Sequence, residues 1–378
     1  MTLRTLLGGS LAAALVIAFG APAGRAQSAT PLRSFPTAIN LEDTSETSAN
    51  VSMGDLDGDR DLDMVLAKGR HWPLVDRVLI NDGKGHFAIS DLGPISDRTY
   101  SALLADVNRD GSLDLVISND RPDAKLVYLN DGKAHFRKDS TWGSPEWTTR
   151  NATVSDLNGD GWPDVIAANR GGRSNVCLND GKGRFDSAPC PVIDALSATS
   201  IVTGDFNKDG AIDLAIPHRD GGQSSIFFND GKAGFAKTQA FGPTVTNARA
   251  AAAGDLNGDG WLDLIVGDER TGTRVYLNDG RGQLVSGVAL GEATLAPGAI
   301  VVADMNRDGR ADIVIGHADA PGAVWFGNGN GRDFTLVRFG DGKGAVYGLA
   351  VGDLNGDGFP DIATARSDAP NVMFFSAQ

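Results

Sequence analysis

The stretch Asp255-Leu256-Asn257-Gly258-Asp259-Gly260-Trp261-Leu262-Asp263 recurs seven times along the chain, and its copies frame everything between them. The other six begin at Asp55, Asp106, Asp156, Asp205, Asp304 and Asp353, so successive starts lie 51, 50, 49, 50, 49 and 49 residues apart. A near-constant period of this length marks a repeat fold, in which each unit is one supersecondary element stacked on its neighbours.

The pattern reads DxNxDGxxD. Position one holds the seven aspartates just named. Position three is Asp57, Asn108, Asn158, Asn207, Asn257, Asn306 and Asn355, and position five is Asp59, Asp110, Asp160, Asp209, Asp259, Asp308 and Asp357. Position nine is Asp63, Asp114, Asp164, Asp213, Asp263, Asp312 and Asp361. Oxygen-bearing side chains at alternate positions of a tight loop converge on one point, the donor set of a hard cation that takes about six to eight oxygens. Position seven reads Asp61, Ser112, Trp162, Ala211, Trp261, Arg310 and Phe359. Such variety is expected of a ligand that offers only its backbone carbonyl. The pattern predicts calcium, up to seven ions, held by positions one, three, five, seven and nine of each loop.

Asp, Asn and Gly also make ordinary turns, but turn chemistry does not require a carboxylate at position nine in every copy. The loop is not an EF-hand, because position twelve is apolar or small, as in Leu66, Ile117 and Ala167, and strand-like sequence follows. Position six is Gly in six copies and Arg60 in the first, where strain is expected if the chain takes a positive φ. Position four alternates Gly58, Arg109, Gly159, Lys208, Gly258, Arg307, Gly356 without an evident reason in the sequence.

The formal charge is −14, and much of it lies in the loops. That balance argues against nucleic acid, which needs a basic footprint. Residues 1–26 read as a secretory signal: Arg4, an apolar run from Leu11 to Phe19, then small residues that suit cleavage after Ala23 or Ala26. The run is shorter than the ~20 residues of a spanning helix, and no membrane span is expected after cleavage. The mature chain, 27–378, is expected to be a secreted or periplasmic monomer. Cys177 and Cys190 lie in one repeat. Export permits a disulfide, but burial of Cys177 as a small apolar residue accounts for it equally.

Each unit carries an apolar segment before the loop, such as Ile300-Val-Val-Ala303, and another after it, such as Asp312-Ile-Val-Ile-Gly316. A third ends in Asn-Asp-Gly, as in Val127-Tyr-Leu-Asn-Asp-Gly-Lys133, a hairpin signal. A fourth is expected to open at Phe87, Phe136, Phe185, Phe235, Leu284 or Phe334. Four antiparallel strands per unit make a propeller blade. The seventh unit stops at Phe374-Phe-Ser-Ala-Gln378, before its fourth strand, while Phe35 lies 20 residues before Asp55, the spacing of Phe136 from Asp156. Residues Leu32 to Ile39 are therefore expected to complete the last blade. The fold class is all-β: a seven-bladed propeller closed by its N-terminal strand, leaving no open edge in the ring.

These repeats resemble the FG-GAP or VCBS type, as in the integrin alpha-chain propeller and certain fungal lectins, across essentially the whole mature chain. The resemblance implies that the calcium loop joins the first two strands of a blade, with Asp255, Asn257, Asp259 and Asp263 as side-chain ligands, and likewise in the other six. Kelch repeats share the period but rely on a double glycine and a different aromatic pattern.

Calcium loops and hairpin turns should share one end of the ring. At the other end, the residue six before each first Asp reads Ala49, Tyr100, Arg150, Thr199, Arg249, Gly298 and Tyr347. The loops between second and third strands add Arg70, His71, Asp120, Arg121, Arg170, His218, Arg219, Glu269, Arg270, His317 and Arg366. Tyr and Arg stack on ring faces and pair with carboxylates. Tyr100, Arg150, Arg249, Tyr347, His218, His317, Arg170 and Arg366 are the candidate ligand-binding residues. The leading expectation is an adhesion- or lectin-like module for a glycan or an extracellular protein. One alternative is a polysaccharide lyase, with His218, His317, Tyr100 or Tyr347 moving a proton beside Arg150 or Arg249. The other is a scaffold whose only chemistry is calcium.

Overall fold

A computed structural model describes residues 31–378; the signal segment expected at 1–26 lies outside them. The described residues form seven four-stranded antiparallel sheets arranged as blades. In each, strands A to D follow one another outward, as in blade 2: Thr99–Ala105, Asp114–Asn119, Lys125–Asn130 and Phe136–Trp142. Strand B is the most apolar, and every residue of Asp114–Asn119 is buried, as suits a strand covered on both faces. Strand D is largely exposed.

Blade 7 takes strands A to C from Ala345–Gly352, Asp361–Ser367 and Val372–Ala377, and its outer strand from Ser34–Asn40. Thr37 sits opposite Phe375 and Asn40 opposite Val372, so the first described strand closes the ring on the last. The core is divided into seven clusters, each spanning two adjacent blades. One joins Val202, Phe228 and Phe241 of blade 4 to Ala253, Leu264 and Tyr276 of blade 5. Another joins Leu66 and Leu79 of blade 1 to Ala363 and Met373 of blade 7. Burying each such large side chain contributes roughly 1.5–3 kcal/mol, so a blade is stable only against its neighbours.

Two outer strands depart from the expected start. In blade 3 the outer strand is Val192–Leu196, and Phe185 is instead buried against the blade 2 interface, bridging Trp142. Cys177 and Cys190 are bonded in the segment that leads there. In blade 4 the strand runs Lys237–Thr246, two residues beyond Phe235. In both blades the aromatic packs between blades rather than pairing in the sheet.

Candidate functional site

At one end of the ring lie the seven DxNxDGxxD loops, each joining strands A and B. In the fifth, Asp255 takes the N–H groups of Gly258 and Gly260 at 2.7 and 2.8 Å, Asn257 takes that of Asp259, and Asp259 takes that of Trp261. These contacts fold the loop so that its oxygens turn inward. Asp263 is fully buried and accepts from Leu256 N at 3.0 Å and Asn278 N at 2.8 Å. The same pair of bonds recurs at all seven position-nine aspartates. Each carboxylate oxygen keeps a lone pair after one such bond. Burial pushes these carboxyls well up, to about 6 for Asp63 and about 7 for Asp114, Asp263 and Asp312.

The donor set fits a hard divalent cation. In the first loop, oxygens of Asp55, Asp57 and Asp63 all lie within 4.8 Å of one another. Arg60 there has φ +79, where the other copies carry glycines such as Gly111 at +93 and Gly260 at +80. A Cβ in this region costs about 1–2 kcal/mol, which accounts for glycine in the other six.

A second feature ties five of the loops to their predecessors. The asparagine before each Asp-Gly turn, for example Asn229, donates its amide to the carbonyl of Ile212 in its own loop and to that of Leu157 in the preceding one, at 2.9 and 2.8 Å. Asn81, Asn130, Asn179 and Asn278 do the same. Gly327 and Ser376 replace it in blades 6 and 7.

At the opposite end lies a central cavity of about 210 Å³. All seven residues six before a first Asp line it. The cause is a bulge. In six blades the A–B register slips at that residue: Ala49, Tyr100, Arg150, Arg249, Gly298 and Tyr347 have no partner across the ladder. A bulge leaves its extra residue unpaired and re-aims the side chain, here toward the ring axis. In blade 4 the short strand Val202–Gly204 starts beyond Thr199. A side chain at Gly298 would collide with the Val346 carbonyl, so blade 6 contributes none.

The wall carries the guanidiniums of Arg70, Arg150, Arg170, Arg219 and Arg249, and no carboxylate is among the lining residues. Tyrosines alternate with arginines around it. Arg249 lies 5.0 Å from the ring centre of Tyr347, Arg70 lies 3.6 Å from Tyr347 and 5.6 Å from Tyr100, and Arg150 lies 4.6 Å from Tyr100. The Tyr100 hydroxyl is 3.1 Å from His71 Nε2. Burial, with Arg150 and Arg70 nearby, lowers the His71 pKa. Burial raises that of Tyr100. Acidic partners stand behind the arginines: Asp120 for Arg150, Asp220 for Arg170, and Glu269 for both Arg219 and Arg249. The hydrogen bond from Arg170 holds the Asp220 carboxyl down at about 2.

Tyr100, Arg150, Arg170, Arg249 and Tyr347 thus meet at the cavity, and His218, His317 and Arg366 do not line it. His218 Nδ1 accepts the Gly222 N–H within its own turn. His317 is buried and donates Nδ1–H to the Pro321 carbonyl. Arg366 is committed to Asp341 and the Pro370 carbonyl. Beside Arg70 and His71, Trp72 is 68% exposed; a lone tryptophan in a Gly-Arg-His-Trp-Pro turn was its only sequence signal.

The FG-GAP-like repeat family matches residues 55–117, 106–167, 156–216, 205–266, 255–315 and 308–364. The chain belongs to this family. No curated protein matches the sequence. Among solved structures, an Agrocybe aegerita lectin, described as recognising non-reducing terminal N-acetylglucosamine, is 18% identical, with a TM-score of 0.58 over 88% of this chain and 86% of that one. BBS1N in complex with ARL6DN, soaked with mercury, is 11% identical, with a TM-score of 0.62 over 91% and 96%. Its lead-soaked counterpart is 12% identical, with a TM-score of 0.60 over 90% and 96%. At these identities the likeness speaks for the propeller alone. Among the described residues no helix is long and apolar enough to cross a membrane.

Proposed function

We propose that this protein is an exported, calcium-stabilised propeller that binds a glycan or an extracellular protein at its central cavity. The observation that carries the reading is the convergence of Tyr100, Arg150, Arg170, Arg249 and Tyr347 on one concave site, a form typical of ligand pockets. Calcium is structural in this reading. The loops would hold it through side chains at positions one, three, five and nine and the backbone carbonyl of position seven, and it would supply charge compensation for buried carboxylates. Export rests on residues 1–26, and amino-terminal sequencing of the secreted product should find the cut after Ala23 or Ala26. The fungal lectin and the BBS1N complex supply one glycan-binding and one protein-binding precedent on this fold.

The test of the site is saturable binding on a glycan panel, compared with a variant carrying Arg150→Ala and Arg249→Ala. Loss of binding is expected with the fold retained by circular dichroism, alongside a modest fall in melting temperature because Asp120 and Glu269 each lose a partner. Unchanged binding would move the site elsewhere, and absence of any ligand would leave the scaffold reading.

One contact favours a second reading, a uronate lyase. The Tyr100–His71 pair sits beside Arg70 and Arg150. A base there could take the proton α to a uronate carboxylate while a guanidinium neutralises that carboxylate. The C4–O bond then breaks, a C4–C5 double bond forms, and the leaving oxygen takes a proton. Protein-dependent unsaturated chain ends would establish it, and a Tyr100→Phe variant should remove them.

A further inference from the structure

We infer that the central cavity recognises an anionic sugar residue, its anion a carboxylate or a sulfate ester, with Arg70 as the charge partner and Trp72 as a platform at the rim. This rests on the reading of the cavity as the ligand-binding face.

The chain as a whole is acidic, at −14, yet five guanidiniums and no carboxylate line this cavity. Four of the five are already matched: Arg150 by Asp120, Arg170 by Asp220, and Arg219 and Arg249 by Glu269. Among the described residues Arg70 has no carboxylate partner. Its guanidinium lies over the Tyr347 face at 3.6 Å and makes one long contact to Ser367 Oγ at 3.4 Å. Stacking occupies the plane of a guanidinium and leaves its edge, where the N–H donors point, for an oxyanion.

The position is also prepared in advance. Arg70 has φ +50, and the turn is pinned by Gly69 N to Thr47 O at 2.8 Å and Arg70 N to Thr99 O at 3.1 Å. Backbone held in the left-handed region by its surroundings is a feature of ligand clamps.

Size and the rim argue for a sugar rather than an acidic peptide. A volume of about 210 Å³ falls below the ~300 Å³ at the small end of drug-sized pockets. One residue of a chain enters and the rest stays at the mouth. Trp72, two residues from Arg70 in the same turn and 68% exposed, offers an aromatic face of the kind on which pyranose rings stack.

The test is calorimetric titration of the calcium-loaded protein with trigalacturonate, its methyl ester, a sulfated trisaccharide, a neutral trisaccharide and hexaglutamate. Binding of the carboxylated or the sulfated sugar is expected, with the neutral sugars at least roughly tenfold weaker and with affinity falling as salt rises. Arg70→Gln should weaken the anionic sugar roughly tenfold and Trp72→Ala several-fold, both with the fold retained. The carboxylated and sulfated arms identify the anion. Equal binding of acid and ester, or no effect of Arg70→Gln, overturns the inference and leaves the glycan-binding reading standing. Preference for hexaglutamate overturns it in favour of a protein ligand, and silence from every sugar overturns both.

Discussion

The two ends of this ring are built from the same seven blades, but one end repeats and the other does not. At the loop end, positions one, five and nine are aspartate in every copy, and the structure supplies the reason: these carboxylates take the backbone N–H groups that shape the loop. At the cavity end, one bulged residue in each of six blades has no ladder partner, and it varies from Gly298 to Arg249 to Tyr347. Where side chains hold the backbone together, substitution is restricted. Where the backbone already holds itself, a side chain is free to specialise. This difference is what the proposed function would require, with stability resting on the loop end and recognition on the cavity end.

The strongest way to break that assignment is to remove calcium. If the loops hold calcium as proposed, at ~1 mM free ion and a Kd of ~0.1 mM each site would contribute roughly 1.4 kcal/mol. Seven such sites approach ~10 kcal/mol, comparable to the whole stability of a typical domain. Differential scanning calorimetry should show chelator lowering the melting temperature by about 20 °C, at ~2 °C per kcal/mol for a chain of this size. Identical melting curves with chelator and with calcium would remove the metal from the account.

Single residues sharpen the comparison. Asp263→Ala orphans the buried N–H groups of Leu256 and Asn278, at about 1–3 kcal/mol each. Denaturant titration should show a loss of about 2–6 kcal/mol. Arg70→Gln at the cavity end orphans no carboxylate and forfeits its contact with the Tyr347 ring, a loss of about 1 kcal/mol. Similar losses at the two sites would erase the distinction. A gain of about 1 kcal/mol is expected for Arg60→Gly, which relieves a side chain at φ +79.

Much of the fold was legible because its signals were repeated. Seven loops at one period located strands A and B, and the spacing of Phe35 from Asp55 placed the closing strand. Counting six residues back from each first Asp reached the cavity because strand A leads from that end of the ring to the loop end. The loops between strands B and C were less readable. Whether a residue there faces the axis depends on how its turn folds, and His218 and His317 are drawn into their own turns by Gly222 and Pro321. The bulge was invisible because it changes pairing rather than composition. The asparagine straps read only as hairpin signals, since their second partner lies in the preceding blade.

The alternation at position four also needed the structure. Arg109 lies 4.7 Å from the ring centre of Trp162, Lys208 lies 4.4 Å from that of Trp261, and Arg307 lies 5.8 Å from that of Phe359. Each pair joins position four of one blade to position seven of the next. The cations at position four belong to blades 2, 4 and 6, and the aromatics at position seven to blades 3, 5 and 7. The two alternations are one. Every second junction carries a cation–π clasp, whereas blades 1 and 3 carry Gly58 and Gly159 at position four, followed by Ser112 and Ala211 at position seven of the next blade. Such a contact is worth about 0.5–1 kcal/mol at an exposed site, the smallest of these effects. A double-mutant cycle on Arg109→Ala and Trp162→Ala should give a coupling of that size. Arg109 also donates to the Gly161 carbonyl, which Trp162→Ala leaves in place, so the cycle isolates the ring contact. Additive losses would mean that the two side chains covary for another reason, and that the loop end is held by its carboxylates and asparagine straps alone.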